Sequence, residues 1–200
     1  MQKFTTLTAI AASLPAPNID TDTIIRVERC VRVPKAEIGR YAFEQLRLRP
    51  DGCENPDFPL NREPWRHAQI LVCGENFGCG SSREMAVWAI AGMGVRCVVA
   101  PSFGEIFFGN CLQNGLLAIK LPKETVAQLM KLADDPVSAR FVIDLENQTI
   151  NHAVKFEIEP LKKRMLVEGL DAIGLTLARE SEIAAWQARD RSTRPWVYFT

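Results

Sequence analysis

The chain has 200 residues, 24 basic against 24 acidic side chains, and is 47% hydrophobic. That length supports one substantial domain and is short for two, and balanced charge excludes the counterion-driven affinity of a nucleic-acid binder or the basic face of a membrane-surface protein. No apolar run approaches the ~20 residues that span a bilayer, and no basic segment followed by an apolar stretch opens the chain, so a cytoplasmic protein without membrane contact is expected.

In chain order, residues 4–10 alternate and are rich in β-formers, which predicts a first strand closed by Pro15 and Pro17. Asn18, Asp20 and Asp22 then recur at every second position, which in an extended segment places three polar groups on one side; an Asx-rich turn capping the next element is the alternative. Residues 26–32 read as loop and 38–48 as helix. Five prolines and glycines within 50–66, Pro50, Gly52, Pro56, Pro59 and Pro64, predict a surface excursion that moves until a partner binds.

Strands are expected at 69–73, 95–100 and 116–121, with helices at 85–93, 103–112 and 123–133 between and after them, the arrangement of an α/β core with parallel neighbours. Residues 141–145 and 153–158 alternate around 146–149 and predict an antiparallel hairpin. Helices near 161–168 and 180–189 come next, punctuated by Gly169 and Gly174. The six cysteines, Cys30, Cys53, Cys73, Cys79, Cys97 and Cys111, show no C-x-x-C spacing, which suits reduced thiols rather than an iron-sulfur or other metal site on this chain.

The central stretch is 73–84, a strand end, a glycine-rich turn and a helix start. Ser81 and Glu84 have capping-box spacing, which predicts Ser81, Ser82 and Arg83 amides pointing outward, unpaired, at the positive end of a helix. Such a terminus suits an anion, while two hydroxyls beside a guanidinium offer a base or nucleophile next to a carboxylate clamp. Gly78 and Gly80 permit positive φ and close approach of a ligand. A plain helix cap is the simpler alternative. The dinucleotide fingerprint, phosphate loop and nucleophile elbow all lack a required residue, and His67 and His152 are the chain's two histidines. Cys79 reads as filling the turn.

Taken together, 18–25 (Asn-Ile-Asp-Thr-Asp-Thr-Ile-Ile), 75–84 (Glu-Asn-Phe-Gly-Cys-Gly-Ser-Ser-Arg-Glu), 100–103 and 169–177 resemble the small-subunit family of 3-isopropylmalate dehydratase, the swivelling domain of the aconitase superfamily. The resemblance implies a single β/β/α swivelling domain that closes over a separate large subunit, which bears a [4Fe-4S] cluster, with no metal bound by this chain. It implies a hydro-lyase active only with that subunit, which dehydrates and rehydrates a small hydroxy acid in leucine biosynthesis. By the same resemblance Ser81 is the catalytic base and Asp22 its supporting catalytic residue. Ser82, Arg83 and Asp20 would bind substrate.

The sequence departs from the family where the substrate's side chain is read. A proline and then an aromatic-leucine pair are replaced by Arg26 and Arg29-Cys30, so Arg29, Cys30, Val31 and Arg32 form the candidate specificity loop. The usual histidine after the Arg-Glu pair is Met85, and the proline two residues later is Val87. A hydratase subunit for another substituted malate or a homocitrate-like acid, or a binding module without catalysis, are the alternative readings.

Overall fold

The computed structural model describes residues 1–198. Its centre is β1 (Thr6–Leu14), flanked on one edge by the parallel strands β2 (Ile70–Cys73), β3 (Cys97–Ala100) and β4 (Leu117–Lys120). On its other edge β5 (Arg140–Asp144), β6 (Thr149–Ile150) and β7 (Val154–Lys155) are antiparallel, giving the order β4-β3-β2-β1-β5-β6-β7. Every residue of β2 and β3 is buried, as expected for short, wholly apolar strands covered on both faces.

Alternation along the strands divides the core. Leu14, Leu71, Cys73, Val98 and Ala100 face a cluster containing Ile24, Ile25, Phe43, Val87 and Ile90. Ala11, Ile70, Val72, Val99 and Leu117 face the other, with Val126, Leu129 and Phe141. The first layer holds four short or medium helices, α1 (Thr21–Ile24), α2 (Val27–Arg32), α3 (Glu44–Arg47) and α4 (Glu84–Gly92), together with α5 (Glu105–Gln113). Helix α6 (Lys123–Asp134) covers the second face. The tail forms α7 (Pro160–Glu168), α8 (Ala172–Leu177) and α9 (Glu180–Thr193). No helix among the described residues is long and apolar enough to cross a membrane.

The parallel α/β core matches the expectation from sequence, and five local readings need correction. Residues 26–32 contain helix α2 rather than loop: Arg29 forms two hydrogen bonds to Glu44, 2.9 and 2.5 Å, which fastens this short helix to its neighbour. The helix expected over 38–48 is broken into a 3-10 turn (Ile38–Tyr41) and α3, because Phe43 is left-handed at φ 54°. Its amide bonds the Ile24 carbonyl at 2.8 Å and its ring is fully buried, so burial overrides helix continuity. The excursion over 50–66 is fastened rather than loose. Phe58, Leu60 and Trp65 are buried, Asn61 Nδ2 donates to the Arg47 and Asn55 carbonyls (2.7 and 2.8 Å), and Trp65 Nε1 donates to the Ala133 carbonyl at 2.6 Å. In the hairpin region Thr149 belongs to β6, since Asp144 accepts from the Asn147 amide and tightens the turn; β7 pairs with β6, not with β5. Gly174 is no terminator: it lies inside α8, donating its amide to the Asp171 cap at 2.7 Å.

Candidate active site

The turn between β2 and α4 is hydrogen-bonded on both flanks. On one side Asn18 N donates to the Glu75 carbonyl (2.8 Å), Gly78 N to Ile19 (2.7 Å) and Thr21 N to Cys79 (2.9 Å). On the other, Phe77 N reaches the Ser102 carbonyl (3.1 Å), Gly104 N the Phe77 carbonyl (2.9 Å), and Asn76 N the Ser102 hydroxyl (2.8 Å). Beneath it Phe77 and Phe107 meet edge to face at 5.5 Å. Gly78 is required here: its φ is 71°, and a Cβ would lie 2.3 Å from the Phe107 ring. Gly80, at φ 92°, is left-handed as well.

The three polar residues of the 18–22 segment divide their roles instead of lining one side of a strand. Asn18 accepts from Asn76 Nδ2 at 2.9 Å, Asp20 caps α1 by accepting from the Thr23 amide at 2.7 Å, and Asp22 pairs with Arg83 Nη1. Helix α1 begins at Thr21, which turns the chain before an extended run can develop. Hydrogen bonding from Thr23 outweighs burial and keeps the Asp20 carboxyl below its ordinary range. The Asp22 hydrogen bond raises the Arg83 guanidinium pKa further, so Arg83 is a permanent cation. Its Nε and Nη2 donate to nothing among the described residues.

The capping box is not formed. Helix α4 starts at Glu84, its N-cap is Arg83 in an extended conformation, and no side chain caps it. Glu84 instead accepts from Asn114 Nδ2 (2.8 Å) at the end of α5, and Asn114 Oδ1 accepts from Trp88 Nε1 (3.0 Å). The Arg83 amide is paired with the Ser81 carbonyl at 2.8 Å, contrary to the expectation of three free amides. Ser81 and Ser82 are exposed, and their amides and hydroxyls donate to no protein acceptor among the described residues. Ser81 is thus not consumed as a helix cap.

In the candidate specificity loop Arg29 is turned aside, clamped by Glu44 with its guanidinium 4.2 Å from the Tyr41 ring centroid. Cys30 is half-buried and packs against the core, close enough to Arg83 and Asp22 to feel both charges; burial dominates and holds its thiol protonated. Val31 is 82% exposed, and Arg32 is exposed without an ion pair among the described residues. Val27 and Val31 are one helical turn apart, and both are exposed.

The other thiols do not form a metal site. Burial pushes Cys73, Cys97 and Cys111 far above the ordinary thiol range. Among the described residues no group of three or more His, Cys, Asp or Glu side chains is gathered to hold a metal ion. These residues do not fit an iron-sulfur cluster. A groove of about 1060 Å³ lies elsewhere, between α7, α8 and α9, lined by Leu161, Leu175, Ile183 and Trp186. It contains neither Ser81 nor Arg83, so it is separate from the candidate site.

Sequence reasoning missed Thr21, Asn76 and Asn114 as supports of the turn. Thr21 sits between the two aspartates, and a buried hydroxyl there has no periodic signature; Asn76 was part of the motif, but its left-handed backbone at φ 56° was the only available signal.

The chain is similar to proteins of one family over nearly its whole length. The family model of the aconitase C-terminal domain matches residues 1–124, and the model of the C-terminal domain of the 3-isopropylmalate dehydratase small subunit matches 173–199. The small subunit of 3-isopropylmalate dehydratase from Roseobacter denitrificans is 49% identical, covering 98% of this chain and 100% of its own length. That from Paramagnetospirillum magneticum is 48% identical over the same shares. The crystal structure of 3-isopropylmalate dehydratase from Methanocaldococcus jannaschii superposes with a TM-score of 0.65 at 26% identity, covering 90% of this chain and 98% of that one.

Proposed function

The chain belongs to the 3-isopropylmalate dehydratase small-subunit family, and from that footing we propose that it supplies half of a hydro-lyase active site whose other half comes from a large subunit. The proposed substrate is a malate with an alkyl substituent on carbon 2 or 3, 3-isopropylmalate first among them. The large subunit would bring the [4Fe-4S] cluster, whose iron is the Lewis acid for the departing hydroxide.

This chain's own residues carry the other half of the chemistry. Ser81 takes the proton from the carbon beside a substrate carboxylate. Two unpaired amides at the head of α4 and the Arg83 cation lower the cost of negative charge on its oxygen. Arg83 clamps a carboxylate, and Asp22 fixes the guanidinium through one nitrogen, which leaves Nε and Nη2 for the substrate. That unfilled fork beside an uncommitted serine is the observation that carries the reading. Ser82 adds a second donor, and Asp20 acts by holding α1 in place rather than by direct contact.

An alkyl substituent is favoured despite the arginines of the specificity loop. Arg29 is neutralised by Glu44, and the loop residue that packs against the core is Cys30, whose thiol burial keeps protonated. An uncharged, weakly polar group suits a branched alkyl chain, whereas an inward guanidinium would select a further carboxylate. The experiment is to assay this chain alone, a cluster-loaded large subunit alone, and the mixture against a panel of alkyl-substituted and carboxymethyl-substituted malates. Activity only in the mixture, greatest with alkyl substituents, is the expected outcome. Preference for the additional carboxylate would overturn the substrate assignment, and inactivity with large subunits that bind this chain would overturn the enzymatic one.

A further inference from the structure

We infer that Thr21 is a positioning residue for Ser81, acting through the backbone on either side of Gly80. The inference rests on the reading of Ser81 as the base. Thr21 is 1% exposed, one of the few buried polar residues of the chain. Its amide donates to the Cys79 carbonyl at 2.9 Å, and its Oγ1 donates to the Ser81 carbonyl at 3.2 Å. One residue therefore grips the turn at two carbonyls that flank a left-handed glycine, the most easily distorted position in it. The two backbones meet there in a parallel bridge between Asp20 and Cys79, and a Cβ on Gly80 would lie 3.6 Å from Thr21 Oγ1.

The Ser81 carbonyl consequently accepts two hydrogen bonds, from Thr21 Oγ1 and from the Arg83 amide. With both lone pairs engaged, the peptide plane after Ser81 is fixed, and with it the backbone from which the Ser81 side chain projects. The next residue, Asp22, holds Arg83. A single turn of α1 thus sets the proposed base through Thr21 and the proposed carboxylate clamp through Asp22. A buried hydroxyl needs a partner, and this one spends its donor on the turn rather than on its own helix.

The test uses the complete complex with a cluster-loaded large subunit. Thr21→Val keeps the shape and removes the donor; a base displaced by up to ~1 Å loses up to ~100-fold in rate, so kcat should fall about 10- to 100-fold. KM should stay within about twofold, because the Arg83–Asp22 pair is untouched. Thr21→Ser restores the donor and should keep kcat within about threefold of wild type. In a Ser81→Ala background Thr21→Val should cost nothing further, since its effect is transmitted through Ser81. Wild-type kcat in Thr21→Val, equal losses in the Ser and Val variants, or a multiplicative loss in the double variant would each overturn the inference. Should Thr21→Val fail to fold or to associate, Thr21→Ser against Thr21→Cys makes the same comparison with a poorer donor, and equal kcat in those two would overturn it. Near-wild-type turnover by Ser81→Ala itself would instead refute Ser81 as the base, a result separable from all of these.

Discussion

The turn carrying Ser81 and Arg83 and the helical tail after residue 170 are held by different forces. The turn is threaded between two loops by backbone hydrogen bonds, backed by three phenylalanine rings and packed so closely that Gly78 has no room for a methyl group. In the tail, α8 and α9 have no buried residue, and Ile173, Leu177 and Trp186 are large apolar side chains left exposed. What holds the tail is local: the Asp171 cap of α8 and exposed ion pairs such as Arg179–Glu182, each a small contribution, whereas α7 before it is anchored by the buried Leu166 and by the Phe4 amide on the Leu166 carbonyl. Long-range packing therefore fixes the geometry of the chemistry-bearing turn, while the tail adds little to the core of this subunit.

Substitutions should reproduce that contrast in graded form. The largest loss is expected for Gly78→Ala, which adds a clash with Phe107 to a left-handed backbone at φ 71°, about 3 kcal/mol in a urea titration. A loss well under 1 kcal/mol would show the turn to be more yielding than its packing implies. Next comes Trp65→Phe, which leaves the Ala133 carbonyl without its donor and should cost about 1–2 kcal/mol; an unchanged urea midpoint would return the 50–66 excursion to the status of a loose loop.

Smaller still is Asp20→Ala, about 1 kcal/mol at neutral pH for the lost cap of α1. The sign with pH is set by the lowered carboxyl pKa. A group depressed in the folded state stabilises above its unfolded value and loses that contribution as pH falls through the folded value. The gap between wild type and Asp20→Ala should close in acid below the ordinary aspartate range, and a gap that persisted there would assign the loss to something other than the charged cap. The smallest effect is expected in the tail, where Trp186→Ser should leave the stability of the isolated chain within about 0.5 kcal/mol. A cooperative loss there would mean that the tail and core fold as one unit.

The same contrast explains how much was legible in the sequence. Strands β2, β3 and β4 are continuous apolar runs bounded by helical segments, and a buried parallel sheet imposes that pattern directly. The Gly-Ser-Ser-Arg-Glu block singled out its turn as the candidate site because glycines and clustered hydroxyls are costly to place together without use. Its internal geometry was not legible. Glu84 at capping-box spacing found Asn114, thirty residues away, and Ser81 was left free. Arg29, conspicuous as an intruder in an apolar pocket, found Glu44. Both outcomes depend on partners brought near by the fold, as does the left-handed kink at Phe43 that broke an apparently regular helix. Local spacing supplies options, and tertiary contacts choose among them.

The central claim is that the turn from Gly78 to Glu84 is half of an active site, with Ser81 as its base. The most direct measurement is the steady-state turnover of wild type and Ser81→Ala, each saturated with the same cluster-loaded large subunit, with association confirmed in both. Loss of a general base predicts a fall in kcat of about 10²- to 10⁴-fold with substrate binding retained through Arg83. Turnover by Ser81→Ala within a few-fold of wild type would contradict the account.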